Sequence, residues 1–359
     1  MNPLIKKVNR RLNPGKLFYG PSWIVLGVNN ICNLHCKMCD VGTQTNETNF
    51  ATNLVGTHPL NMPMELFKRM ADQCAKYYPN VKLGYAFTEP LIYKHLEESL
   101  VYAKYKKLHT SITTNALNLK QKADIIVEND VADLFISLDG TEEVHNEIRG
   151  HKKSFQWAIE GIDKVLSKTD KVGFSIYCVI TEWNTHNLVD FVEFFKNFPL
   201  KQIGFLHPNY TLEKTAEYHN SLAFGIDYPA TYSNIEEVDP FKIDLDLLQS
   251  QIDTIRSRNY PFDVTFQPEI YTSTGLATFY HQPEKYMGKG CLDIFENIML
   301  KSDGTMIPAH GRCYNISVGN LYETELPDIW NSLAFSKFRK TLMQNNGYLP
   351  ACSRCCSAF

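Results

Sequence analysis

Apolar and polar positions divide the first two thirds of the chain into short apolar runs separated by longer amphipathic stretches. Residues 23–28 read as a first strand, and residues 64–78 as a helix carrying Phe67, Met70 and Ala71 on one face. A strand over 81–87 and a helix over 93–106 follow. Strands over 109–113, 133–137, 171–180 and 202–206 continue the series, with helical spacing over 120–128, 154–167 and 187–198 between them. Repeats of this kind require parallel pairing with right-handed crossovers, which leaves an α/β barrel or an open wound sheet. Either architecture gathers its chemistry at the carboxyl ends of the strands.

Two stretches break the pattern. Residues 42–61, rich in Thr and Asn, form a long loop after the first strand, suited to a lid or substrate-contacting loop and equally to a plain surface loop. Residues 209–239 dissolve into aromatic and polar positions, as an insertion or linker does. A helix over 244–258 and a short strand over 264–266 come next. From about residue 290 the chain holds half of its cysteines. The expected organisation is an N-terminal extension (1–21), a barrel (22–208), a linker or insertion (209–289) and a C-terminal cysteine-rich domain (290–359).

Composition narrows the function classes. The 359 residues are 44% hydrophobic and 21% charged, which excludes wholesale disorder. A net charge of −3 gives no global pull toward nucleic acid, and the apolar runs are strand-sized, so no membrane span is expected. The ten cysteines change the picture. The basic start of the chain (Lys6, Lys7, Arg10, Arg11, Lys16) runs into Pro14 and Gly15 without the apolar stretch of a signal peptide. A reducing, cytoplasmic setting is therefore expected, where clustered cysteines bind metal or react rather than pair.

Cys32, Cys36 and Cys39 fall immediately after the first strand with the spacing C-x3-C-x2-C. Three thiolates on one loop can hold three irons of a cubane and leave the fourth open, as a catalytic metal needs. Zinc would need a fourth ligand, which His35 could offer, but zinc signatures use paired C-x2-C arms. The triplet resembles the cluster-binding motif of the radical S-adenosylmethionine superfamily, with Met38 at a position usually aromatic. Further matches, in order, extend the resemblance over about residues 22–206, which implies that family's partial (β/α)6 TIM-like barrel. There the open iron chelates S-adenosylmethionine, and one-electron reduction yields a 5′-deoxyadenosyl radical that removes a substrate hydrogen atom.

The later strand ends carry the same resemblance. Phe87, Thr88, Glu89 and Pro90 are similar to the family's Gly-Gly-Glu-Pro segment, with both glycines replaced. The resemblance implies that Thr88 and Glu89 meet the methionyl amine, although a lone Glu here also suits a helix N-terminus. Thr114, Asn115 and Ala116 resemble a Thr-Asn-Gly turn, with Ala for Gly. Ser137, Leu138, Asp139 and Gly140 match a Ser-Leu-Asp-Gly motif whose Ser137 and Asp139 share one face and would meet the ribose. Asp139 could equally cap the following helix. His145 and Arg149 resemble a His-x3-Arg stretch, and the arginine would bind the carboxylate of S-adenosylmethionine.

Cys291, Cys313, Cys352 and Cys355, with Cys356 adjacent, supply a second donor set. Four dispersed thiolates make a closed site, of zinc or of a fully ligated cluster. Residues 302–308, 318–321 and 328–330 are similar to the SPASM/twitch tails of radical enzymes, which implies one auxiliary 4Fe–4S cluster. Pro308 is followed by Ala309 and His310 where that family often has Cys, so Cys313 or His310 would complete the set, with Cys313 favoured. Cys356 reads as an inert neighbour, with an alternate-ligand role left open, and Cys74 as a core residue. Cys178, in the fifth strand, reads as a core residue unless it faces the barrel lumen, where it would donate a hydrogen atom to a substrate radical.

The resemblance implies two 4Fe–4S clusters, S-adenosylmethionine, and a flavodoxin or ferredoxin as electron donor. The expected reaction is oxidation of a small polar metabolite or carbohydrate with the auxiliary cluster as electron acceptor. Redox-neutral epimerisation, peptide or protein maturation, and a non-catalytic metal scaffold are the alternatives. With 31 residues ahead of Cys32, no leader-recognition module is expected, which favours the small substrate. His207, Asn209 and Tyr210 after the sixth strand would suit sugar hydroxyls.

Overall fold

A computed structural model describes residues 3–359. Its centre is one sheet. Strands β1 (Trp23–Leu26), β2 (Lys82–Tyr85), β3 (His109–Thr114), β4 (Asp133–Ser137), β5 (Gly173–Val179), β6 (Gln202–Leu206) and β7 (Asp263–Gln267) pair in parallel, each beside the next. Strands β8 (Asn297–Leu300), β9 (Thr305–Pro308) and β10 (Gly319–Asn320) complete it on the other side of β1. The pairing of β8 with β1 is parallel, while β9 runs antiparallel to both β8 and β10. Parallel strands with crossover helices give the partial barrel expected of the chain.

Two differences from the sequence reading concern its edges. β7 pairs along its whole length with β6, Ile203 opposite Val264 and Phe205 opposite Phe266, so the short strand at 264–266 widens the barrel. The cysteine-rich tail is joined to the barrel through the same sheet, Ile24 lying opposite both Leu83 and Ile298.

Local sequence explains the layers. Phe174, Ile176 and Cys178, alternate residues that share one face of β5, are fully buried. The helix Met64–Tyr77 buries Leu66, Phe67, Met70, Ala71 and Cys74, the i, i+1, i+4, i+5, i+8 stripe that faces a core. Arg339, on the helix Leu333–Gln344, donates to the carbonyls of Ile294 (2.9 Å) and Trp330 (2.7 Å). It fastens the tail helices beneath the start of β8. No helix among the described residues is long and apolar enough to cross a membrane.

Candidate functional site

The loop after β1 is folded by its own backbone. The amide of Cys39 donates to the Cys36 carbonyl (3.2 Å), and that of Lys37 to Ile148 (3.0 Å). A Cβ at Gly42 would strike the Cys36 backbone, so only glycine lets the loop close. Asp40, fully buried, accepts from Thr48 Oγ1 (2.8 Å), Ser233 Oγ (2.8 Å) and the amide of Asn234 (2.6 Å). The segment read as a linker thus clamps the cysteine loop.

Cys32, Cys36 and Cys39 line one cavity of about 480 Å³. Burial is the main cause that pushes the Cys36 thiol up to about 12 and that of Cys32 to about 11. Thiols held neutral by burial become thiolates on binding metal. His35 is exposed and does not line the cavity, so the triplet has no nitrogen ligand from its own loop. Three sulfurs facing open space fit an iron–sulfur cluster with one free iron.

The remaining wall comes from the strand ends. Thr88, Asn115, Ser137 and Arg149 line the same cavity. Glu89 and Asp139, expected to touch S-adenosylmethionine, instead stand behind it. Glu89 accepts from Thr114 Oγ1 (2.7 Å) and from the amides of Asn115 (2.8 Å) and Leu91 (2.8 Å), which uses its oxygens to tie β2 to β3. Burial raises its pKa against those hydrogen bonds. Asp139 accepts from the Val179 amide (2.9 Å) and from Arg149 Nε, and so aims the guanidinium into the cavity. Arg149 Nη1 lies 3.6 Å from Cys36 Sγ. Arg149 ends the helix Glu142–Arg149, whose left-handed cap Gly150 (φ 66°) packs so close to the His35 carbonyl that a Cβ would meet it at 3.0 Å.

The replaced glycines have a structural signature. Phe87 (φ 63°), Thr88 (φ 45°) and Ala116 (φ 60°) all hold left-handed backbone, the conformation glycine adopts without strain. Thr88 Oγ1 offsets part of that cost by bonding Asn29 Oδ1 (2.7 Å). Phe87 places its ring against Phe50 and His310, each with centroids 6.1 Å apart.

Cys291, Cys313, Cys352 and Cys355 converge on a second cavity of about 80 Å³. A closed four-sulfur set fits a fully ligated cluster, and it includes Cys313, the favoured fourth ligand. His310 is held by Ser357 Oγ (2.7 Å) and by Asp293 Oδ2 (3.5 Å). Burial pulls its pKa down, but hydrogen bonds to Asp293 and Cys356 outweigh this and raise it to about 9. Phe50, Asn209, Asn234 and Arg312 line both cavities.

Other expectations resolve differently. Cys178, a hydrogen donor only if it faced the barrel lumen, packs in the core instead: it is fully buried with its sulfur 3.6 Å from Asn184 Nδ2, and it does not line the cavity. Alternation along β5 turns Tyr177 and Val179 to the cavity instead. Cys356, read as inert, lines the large cavity beside the cluster loop. Its sulfur lies within 4.8 Å of ligand atoms of His310 and Cys355. Of the sugar-binding trio, Asn209 lines the large cavity and Tyr210 the small one, while His207 turns into the core and bonds Tyr280 (2.7 Å). The Thr/Asn-rich loop holds a helix, Asn49–Val55, that is strapped to the tail by Asn53 Nδ2 to the Gly311 (3.0 Å) and Cys313 (2.8 Å) carbonyls. Arg312 and Gln267 were missed because they reach the cavity from the distant tail and from β7; only the nearby Cys313 hinted at the first.

Residues 27–195 match the model of the radical SAM superfamily, and residues 291–356 that of an iron–sulfur cluster-binding domain, SPASM. An uncharacterized protein of Methanocaldococcus jannaschii is 26% identical over 233 residues, 61% of this chain and 76% of its own length. A serine-type anaerobic sulfatase-maturating enzyme of Bacteroides thetaiotaomicron is 27% identical over 195 residues, so the match spans 51% of this chain and less than half (45%) of that enzyme. Streptococcus suis SuiB bound to its precursor peptide SuiA shares the fold, with a TM-score of 0.64 at 17% identity over 99% of this chain and 76% of SuiB. These matches imply S-adenosylmethionine and two 4Fe–4S clusters, which the thiol-lined cavities fit. The chain thus carries a radical S-adenosylmethionine domain over residues 27–195 and a SPASM iron–sulfur cluster-binding domain over residues 291–356.

Proposed function

We propose that the protein is a radical S-adenosylmethionine dehydrogenase that oxidises a small polar metabolite or carbohydrate. The observation that carries this reading is the shared wall: four residues line both the large cavity and the four-cysteine cavity. When bound, S-adenosylmethionine and the two clusters would supply the hydrogen-abstracting radical and an electron sink for net oxidation.

The chain's residues would hold and orient the reactants. Cys32, Cys36 and Cys39 would hold the S-adenosylmethionine-binding cluster, and Cys291, Cys313, Cys352 and Cys355 the auxiliary one. Arg149, aimed by Asp139, presents a cation for the methionyl carboxylate. Thr88, Asn115 and Ser137 offer hydroxyl and amide groups to the amine and ribose, and Glu89 keeps Thr114 and Asn115 in register behind them. Asn209, Asn234, Gln267 and Arg312 leave polar groups for a hydroxylated substrate. A low-potential flavodoxin or ferredoxin is the proposed electron donor.

A second outcome, hydrogen return to give a redox-neutral product, is favoured by Cys356, the tail thiol that lines the large cavity. Peptide maturation is favoured by the sulfatase-maturating relative. Turnover of aminocyclitols, sugars and short peptides in deuterium oxide separates these outcomes. The proposal expects a sugar-like product lighter by two hydrogens and free of solvent deuterium. Deuterium in a carbon–hydrogen bond of the product would contradict it, as would turnover confined to peptides.

A further inference from the structure

A helix on a globular surface ordinarily buries its apolar stripe and leaves its charges in water. The helix Pro3–Leu12 does the reverse. Its inward side is polar. Asn9 is 6% exposed, and its amide donates to the carbonyls of Lys16 (2.9 Å) and Asn13 (3.2 Å) while its oxygen accepts from the Phe18 amide (2.9 Å). Lys6 reaches Glu296 at 2.6 Å, and Arg10 reaches the same carboxylate at 3.3 Å. The outward side is apolar. Ile5, Val8 and Leu12, at i, i+3 and i+7, are 54%, 48% and 80% exposed, and Phe18 just beyond is 67% exposed.

Charge distinguishes this stripe from a simple apolar patch. Helical spacing sets Arg11 beside Val8, on the flank opposite Asn9, with Lys7 one turn before Arg11. Both are exposed, and neither they nor Lys16 meets a carboxylate among the described residues. Residues 1–21 contain five Lys and Arg and no Asp or Glu, in a chain of net charge −3. An apolar stripe flanked by unpaired cations matches a surface that is greasy beneath and anionic above.

We propose that the helix Pro3–Leu12 docks the protein on anionic lipid bilayers, with Ile5, Val8, Leu12 and Phe18 entering the acyl boundary and Lys7, Arg11 and Lys16 meeting headgroup phosphates. Nothing in the radical chemistry depends on this contact, so it is tested apart from turnover. The full chain is floated with vesicles of phosphatidylcholine, or of phosphatidylcholine and phosphatidylglycerol in equal parts. Partition into the anionic vesicles is expected to be about tenfold or more stronger, and to weaken as salt screens the cations. The triple variant Ile5→Ser, Val8→Ser, Leu12→Ser is expected to lose binding, and Lys7→Glu with Arg11→Glu to lose the anionic preference. Both should keep the secondary-structure spectrum and iron content of the parent. Equal partition into the two vesicle types, or variants that bind as the parent does, would overturn the proposal. So would a concentration-dependent dimer abolished by Leu12→Ser in a chain that ignores vesicles, since that assigns the stripe to a second copy.

Discussion

At the scale of residues, Ala116 shows how a site motif survives loss of its glycine. Its left-handed backbone (φ 60°) is fixed by the Thr114 hydroxyl, which accepts from its amide at 2.9 Å, and by Glu89 beneath. A β-branched residue would clash in that conformation, so Ala116→Val is expected to cost about 2 kcal/mol, whereas Ala116→Gly stays within about 1 kcal/mol of the parent. Denaturant unfolding measures both; a valine variant as stable as the parent would contradict the geometry. His207 makes a pH prediction. Burial drives its pKa from the ordinary 6.5 to about 3. The unfolded chain takes up a proton below about 6.5 that the folded chain refuses, so the neutral ring's contribution is present above that pH and is lost as pH falls toward 3. The thermal midpoint of His207→Gln should therefore decline less between pH 7 and pH 5 than that of the parent. Equal slopes would refute a buried neutral ring. The sequence made the cysteine triplet legible because its spacing is local. It could not show that Glu89 and Asp139 stand behind the wall, since the facing of a strand-end carboxylate depends on the neighbouring strand.

At the scale of elements, Arg354 decides how the last cysteines are held. Its buried guanidinium donates to the carbonyls of Phe279 (2.7 Å), Gln282 (2.7 Å), Lys285 (3.0 Å) and Thr278 (3.1 Å), ending the helix Ser273–His281 against the loop that carries Cys352 and Cys355. Charged donors to several buried carbonyls are costly to remove, so Arg354→Met is expected to lose about 3 kcal/mol and to lower auxiliary iron first. An unchanged iron content and unfolding midpoint would show the clamp to be dispensable. The strands β4 and β6 fall where the apolar runs placed them, because runs of five residues between polar turns are too short for a helix. The helix Asn49–Val55 was not legible, and of Glu142–Arg149 only its start after Asp139 was. The first is short and held by side-chain ties to the tail, and the second is so polar that its inward face carries His145 and Arg149 beside Ile148.

At the scale of the whole molecule, the sheet brings the two cysteine sets together: β8 seats the tail beside β1, so both cavities open on common residues. That pairing joins Trp23 to Asn297, far apart along the chain, and no local pattern announces it. The division of the ten cysteines follows. Cys36→Ser and Cys355→Ser should each reduce iron by about four per chain, while Cys356→Ser, whose sulfur faces the large cavity, should keep about eight. Loss of iron in the Cys356 variant would instead make it a ligand. The most direct measurement is anaerobic reconstitution followed by iron counting and reduction with S-adenosylmethionine present. The account predicts about eight irons per chain and formation of 5′-deoxyadenosine that Cys36→Ser abolishes. About one zinc per chain with no cleavage of S-adenosylmethionine would contradict it.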